Sequence, residues 1–146
     1  MCGIAGVIDT KPVERKNLQE MVNTLIHRGP DSEGYFIDKN VGMGIRRLSV
    51  IDIETGNQPI YNEDKSIVVV CNGEIYNFRE LREKLKKRGH QFYTKGDIEP
   101  LVHLYEEKGE EFVKELTGMY ALAPVSYTHL RAHETEADLV CRLLLE

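Results

Sequence analysis

Apolar side chains between residues 14 and 26 fall at Leu18, Met21, Val22, Leu25 and Ile26. That spacing puts them on one face of an amphipathic helix, and Gly29-Pro30 supplies its stop. Ahead of it, residues 3–9 are small or β-branched and predict a buried strand. Residues 34–38 and 41–46 predict two short strands about a Lys39-Asn40 turn, and residues 55–59 a loop. Ser66 to Cys71 is an almost uninterrupted β-branched run, as expected of a central strand buried on both faces.

Two further helices follow from the same periodicity. Phe78, Leu81 and Leu85 mark one over 78–88, with Glu80–Lys84 and Glu83–Lys87 spaced to pair on its exposed side. Gly89 stands where a helix terminator belongs. Ile98, Leu101, Val102 and Tyr105 mark the other, over about 98–108, with Asp97 as its N-cap and Pro100 in its first turn. A short strand is expected near Gln91–Thr94, a short helix around Phe112, Val113 and Leu116, and a strand over Met119–Ala123. The elements do not alternate as in a doubly wound parallel sheet, so the expected class is α+β, with mixed sheets and helices on their outer faces.

Composition narrows the classes of function. The chain has 146 residues, 41% hydrophobic and 29% charged, with a net charge of −5. This is enough for one domain with its own core. No basic stripe argues for nucleic acid, and no apolar run is long enough to span a bilayer. The N-terminus has no basic flank before a long apolar stretch, so no secretory signal is read there. Three widely spaced cysteines, Cys2, Cys71 and Cys141, suit free thiols in a reducing cytoplasm better than a disulfide framework.

Cys2 is the first candidate for chemistry. If Met1 is trimmed, one residue carries both a thiol and a free α-amine. Such groups have reference pKa values of about 8.5 and about 7.7–8.0, so near neutral pH the amine is able to take the thiol's proton and return it to a leaving group. Arg47 lies at a strand-to-loop junction, where a guanidinium is placed to clamp a carboxylate through two hydrogen bonds. Asn72 and Gly73 follow the strongest strand, and offer a side-chain amide and a close backbone N–H, the donors of an oxyanion hole. Each signal alone is modest. An isolated Met-Cys is more often a small buried residue, Arg46-Arg47 a solvated pair, Asn72-Gly73 a turn, and Asp97 only a cap.

Together with three further segments they form a resemblance. Cys2-Gly3-Ile4-Ala5-Gly6, His27-Arg28-Gly29-Pro30-Asp31, Arg47-Leu48-Ser49-Val50-Ile51-Asp52, Gly56-Asn57-Gln58-Pro59 and Asn72-Gly73-Glu74-Ile75-Tyr76-Asn77 stand in the order seen in class II glutamine amidotransferases. More narrowly, the set resembles the glutaminase domain of glutamine-hydrolysing asparagine synthetases, over roughly residues 2–123.

The resemblance implies an N-terminal-nucleophile hydrolase fold, a four-layer αββα sandwich, incomplete here at the C-terminus. It implies L-glutamine as substrate and Cys2 as the nucleophile. Asn72 and Gly73 would hold the oxyanion, Arg47 the α-carboxylate, and Glu74 and Asp97 the α-ammonium. Leu48, Ser49, Val50 and Ile51 would complete the pocket. His27 and Arg28 read as loop scaffolding. No metal or cofactor is implied for this part. ATP and Mg2+ belong to a synthetase domain of the full-length parent, expected to be a cytoplasmic homodimer making asparagine from aspartate. Other acceptors, such as a sugar, and an inactive glutamine-binding fragment remain open alternatives.

Two departures stand out. The family usually has Ser where Gly96 precedes Asp97. From Val125 the sequence no longer reads as a core strand, and residues 124–146 are expected to be a non-family tail, resembling translated cloning or adapter sequence. It would be disordered or weakly helical from about Glu134. A zinc site from His129, His133 and Cys141 is imaginable there, but lacks a fourth ligand.

Overall fold

The computed structural model describes residues 1–127 and the backbone of 142–143. The helix considered from Glu134, and the set His129, His133 and Cys141, lie outside the described residues. Strands β1 (Gly3–Ile8), β2 (Ser32–Asp38) and β3 (Val41–Arg47) form one antiparallel sheet in the order β1-β3-β2. Strands β4 (Ile60–Tyr61), β5 (Ile67–Ile75), β6 (Gly118–Ser126) and β7 (Arg142–Leu143) form a second, in chain order.

Alternation along β5 explains the layering. Val68 and Val70, with Ala123 and Val125 of the neighbouring β6, face the first sheet and meet its Phe36, Met43 and Ile45 in one apolar cluster. Ile67, Val69 and Cys71 face the other way, into a second cluster with residues of helices α2 (Phe78–Lys87) and α3 (Glu99–Lys108). Both faces of β5 are therefore dry, as its β-branched run predicted.

On the far side of the first sheet lies helix α1 (Arg15–Asn23), which packs on β1 and β3. Gly42 and Gly44 make room for it. A Cβ at Gly44 would stand 2.4 Å from Val22 Cγ2. The layers thus run α1, sheet, sheet, α2–α3, the four-layer αββα arrangement.

Several boundaries differ from the sequence reading. Helix α1 ends at Asn23 rather than at Gly29-Pro30, leaving Ile26 exposed. Strand β5 runs on through Asn72, Gly73 and Glu74, which pair with Ala121, Tyr120 and Met119. Strand β6 likewise continues past Ala123, and Val125 is a buried partner of Val68. The strand expected at 91–94 does not form. The N–H of Gln91 goes to Glu63, and those of Tyr93 and Thr94 to Glu99, so side-chain carboxylates replace a neighbouring strand. Helix α2 ends as expected, with Gly89 at φ +107 and the N–H of His90 on the carbonyl of Leu85. The segment around Phe112 is a 3-10 helix, Gly109–Glu115. Among the described residues, no helix is long and apolar enough to cross a membrane.

Candidate active site

The N-terminus of β1 and the C-terminus of β3 are antiparallel neighbours, with Gly3 opposite Arg46. This brings Cys2 beside the chain leaving β3. The N–H of Leu48 lies 3.4 Å from Cys2 Sγ, and the thiol approaches the carbonyl of Leu48 at 3.7 Å. Arg28 holds the other side of the residue, its Nε donating to the Cys2 carbonyl at 3.0 Å. The scaffolding role read for Arg28 thus acts on the nucleophile candidate itself. His27 is exposed and contacts only the carbonyl of Thr24 among the described residues.

Arg47 is 4% exposed. Its guanidinium donates to the carbonyls of Ile51 and Asp52 at 2.9 and 2.7 Å, and to Asn57 Oδ1 at 3.1 Å. Those three bonds shape the 51–57 loop. They leave two of the five N–H donors of arginine without a partner among the described residues.

The loop is fixed at its far end by Gln58. That side-chain amide donates to the carbonyl of Cys71 at 3.0 Å and accepts the Cys71 N–H at 2.7 Å. Gln58 therefore substitutes for a strand partner beside Asn72. Gly73 is required where β6 crosses closely, since a Cβ there would lie 2.2 Å from the carbonyl oxygen of Met119.

Asp97 does not cap α3, contrary to the sequence reading. Its Oδ2 accepts the N–H of Ile75 at 2.9 Å, at the end of β5, and the cap position is Ile98, with no side-chain bond. Burial raises the pKa of the Asp97 carboxyl, and the charge of Glu74 adds to this. The Ile75 N–H and Arg47 oppose it without prevailing. Arg82 of α2 holds the segment leading to Asp97, donating to the carbonyls of Thr94 and Gly96 at 2.6 Å each.

Asp52 titrates the other way. Burial works against its charge but is outweighed by the Thr55 hydroxyl, the Lys95 and Thr55 N–H groups, and Arg47. Cys71 is fully buried, and burial, with the nearby Asp97 and Cys2, pushes its thiol far above the ordinary range. It is a packing residue, not a second nucleophile.

One pocket gathers nearly all of the residues singled out from sequence. Cys2, Arg47, Leu48, Val50, Ile51, Asn72, Gly73, Glu74 and Asp97 all line it. Ser49 does not; its N–H donates instead to Asp31 Oδ2. Residues outside that set also line the pocket, among them Gln58, Thr94, Gly96, Glu99 and Met119. Gln58 belongs to the Gly56–Pro59 motif, whereas Met119 reaches the pocket through its distant pairing with Glu74. The lining brings together one arginine and three carboxylates, Glu74, Asp97 and Glu99, with the Cys2 thiol and the Asn72 side-chain amide. Asn72 and Glu74 have no side-chain partner among the described residues.

Comparison with known proteins agrees with this arrangement. A family model described as a glutamine amidotransferase domain matches residues 1–132. The chain is 47% identical over 128 residues to asparagine synthetase (glutamine-hydrolyzing) 2 of Bacillus subtilis (strain 168), covering 84% of this chain and 17% of that protein. It is 48% identical over 124 residues to asparagine synthetase (glutamine-hydrolyzing) 2 of Arabidopsis thaliana, covering 83% and 21%. The chain thus spans about a fifth of the length of the curated relatives it matches. Glutamine phosphoribosylpyrophosphate amidotransferase from B. subtilis superposes with a TM-score of 0.65 at 18% identity, over 84% of this chain and 35% of that one, and shares the fold. On the extent of the family match and the near-half identity to these relatives, the chain belongs to the glutamine amidotransferase domain family.

Proposed function

We propose that this domain hydrolyses the side-chain amide of L-glutamine, with Cys2 as an N-terminal nucleophile once Met1 is removed. The observation that carries the reading is the convergence of the Cys2 thiol, the Arg47 guanidinium, the Asn72 amide and the Asp97 carboxylate on one pocket. A free amino acid is a zwitterion with an amide at its far end, and the pocket offers a partner for each part. The remaining Arg47 donors take the α-carboxylate, Glu74 and Asp97 the α-ammonium, and Leu48, Val50 and Ile51 form the wall, with Ser49 holding the segment from outside through Asp31.

The α-amine of Cys2 accepts the thiol proton, directly or through a water, and the sulfur adds to the amide carbon. The Asn72 amide and the Gly73 N–H meet the developing oxyanion. Return of the proton to nitrogen releases ammonia and leaves a γ-glutamyl thioester on Cys2. Water hydrolyses that ester, releasing glutamate and the thiol. The Leu48 N–H stands against the sulfur at 3.4 Å.

In the longer parent, the ammonia would be passed to a following synthetase domain that uses aspartate, ATP and Mg2+ to make asparagine. The near-half identity to asparagine synthetases supports this over a sugar acceptor. The thiols of Cys2 and Cys71, both unpaired, support a cytoplasmic setting; the homodimeric parent is supported by the resemblance alone. The glutaminase domain would run from residue 2 through the end of β6, with the tail apart from it beginning after Ser126 rather than at residue 124.

The test is ammonia release from glutamine by the wild type and by Cys2→Ala, with the N-terminus read by intact mass. The reading requires Met1-free chains to be active and the variant to be inactive while still binding glutamine. Activity in Cys2→Ala would refute it.

A further inference from the structure

Away from the pocket, His103 of α3 is fully buried, and neither ring nitrogen has a hydrogen-bond partner. Burying an imidazole with both nitrogens idle is costly, so its surroundings matter. Its Nδ1 faces Glu63 Oε2 at 3.3 Å, from the turn between β4 and β5. His90, fixed by the cap that ends α2, turns its own Nδ1 to the same centre, 3.4 Å from Glu63 Oε1 and 4.0 Å from Glu106 Oε2. The ligand atoms of these four residues all lie within 4.8 Å of one another.

The rings share a polarity. Each points Nδ1 inward and Nε2 outward toward a different carboxylate, Glu99 Oε1 at 4.0 Å for His103 and Glu107 Oε1 at 3.3 Å for His90. Glu107, within hydrogen-bond reach of His90 Nε2, is placed to hold the Nε2–H and leave the Nδ1 lone pair free for a metal, whereas Glu99 stands too far from His103 Nε2 for a hydrogen bond and acts there only as a nearby negative charge. The inner carboxylates are oriented too. Glu63 accepts the Gln91 N–H at 2.8 Å, and Glu106 accepts from Asn62 Nδ2 at 3.2 Å.

We propose that Glu63, His90, His103 and Glu106 bind one divalent transition-metal cation, with Zn2+ the best match, as a structural site separate from the glutamine chemistry. Two neutral imidazoles and two carboxylates make a four-ligand set whose charge cancels that of the cation. Imidazole ligands favour Zn2+ over Mg2+ or Ca2+, which prefer oxygen alone. Ligand atoms around tetrahedral Zn2+ stand about 3.4 Å apart, given bonds of about 2.0–2.1 Å. Each histidine Nδ1 already stands at about that distance from a Glu63 oxygen, His103 from Oε2 and His90 from Oε1, so the carboxylate must turn to offer one oxygen to the cation. Glu106 must move inward, and its partly exposed side chain on α3 has room to do so by shifting its bond from Asn62. The bound cation would tie the β4–β5 turn, the end of α2 and α3 together. The ligands are spread from residue 63 to residue 106 without a metal-binding spacing, so the sequence reading of no metal had nothing to set against it.

The experiment is titration of the chelator-treated full chain with Zn2+, followed by native mass spectrometry and calorimetry, and repeated with Co2+ for its absorption spectrum. One cation should bind per chain and raise Tm. Affinity should fall at least tenfold in His90→Gln and in Glu106→Gln, the latter a surface change that leaves the core intact, and should persist in Cys2→Ser. The Co2+ form should show d–d bands without a sulfur charge-transfer band. Failure to bind Zn2+ would overturn the proposal, and so would binding unchanged in both the His90 and Glu106 variants. Loss of binding in Cys2→Ser would instead assign the cation to the thiol.

Discussion

The Leu48 N–H approaches the Cys2 sulfur at 3.4 Å, which ties the two halves of the proposed chemistry to one turn of backbone. Leu48 follows Arg47 directly, so the residue proposed to grip a substrate carboxylate is one peptide bond from the N–H that contacts the proposed nucleophile. A distortion at the end of β3 would therefore disturb binding and chemistry together.

Arg47→Lys tests that coupling. Lysine keeps the charge but lacks the planar fork that bonds Ile51, Asp52 and Asn57 at once. The expected outcome is a Tm decrease together with a glutamine KM raised at least tenfold, roughly the loss of one charge-assisted bond of about 1.5–3 kcal/mol. Steady-state kinetics and a thermal melt on the same preparation check it.

Asp97→Asn should separate stability from function. Burial raises the folded-state pKa of Asp97, so the folded protein holds this proton more tightly than the unfolded chain. The associated stability is fully present below the ordinary carboxyl pKa of about 3.9 and is lost as pH rises through the raised value. At neutral pH the charged, buried Asp97 is a cost. The asparagine variant should melt higher at pH 7 and lose that advantage as the pH is lowered toward 4, while its glutamine KM rises. Melts across pH, beside neutral kinetics, measure both.

Gly73→Ala should fail structurally. A methyl group 2.2 Å from the Met119 carbonyl oxygen forces β5 and β6 apart, at a cost of about 3 kcal/mol. Chemical denaturation should show a lower midpoint, with ammonia release lost even where the chain still folds.

Gly96→Ser restores the side chain usual in the family. Here the space exists: a Cβ would meet Asp52 Cβ at 3.5 Å, an ordinary contact. The hydroxyl would lie near the Asp52 carboxylate and Thr94. Stability should change by less than about 0.5 kcal/mol, and KM for glutamine should fall severalfold with kcat unchanged.

The sequence revealed what local periodicity and chain order control. The β-branched run of β5, the Leu18–Val22 face of α1 and the Gly89 cap all follow from neighbours within one turn or strand. It concealed what depends on partners far along the chain. Asn72 and Gly73 look like a turn until β6 is seen to pair with them. Asp97 has the spacing of a cap, yet its carboxylate serves Ile75, 22 residues away. Gln91 to Thr94 reads as a strand, but its N–H groups go to Glu63 and Glu99. In each case a backbone N–H found its partner in a side-chain carboxylate or a strand that local periodicity does not indicate. Most of the pocket residues were legible because short motifs carry them, Asp97 standing outside those motifs; the contact from Arg28 to the Cys2 carbonyl was not, because only folding makes it.

The most direct test of the central claim is covalent. The chain would be incubated with a glutamine analogue bearing a diazomethyl ketone in place of the side-chain amide, and the adduct located by peptide mass mapping. The account predicts a single label on the sulfur of Cys2, confined to chains that have lost Met1 and suppressed by excess glutamine. A label on Cys71, equal labelling of chains that keep Met1, or indifference to glutamine would contradict it.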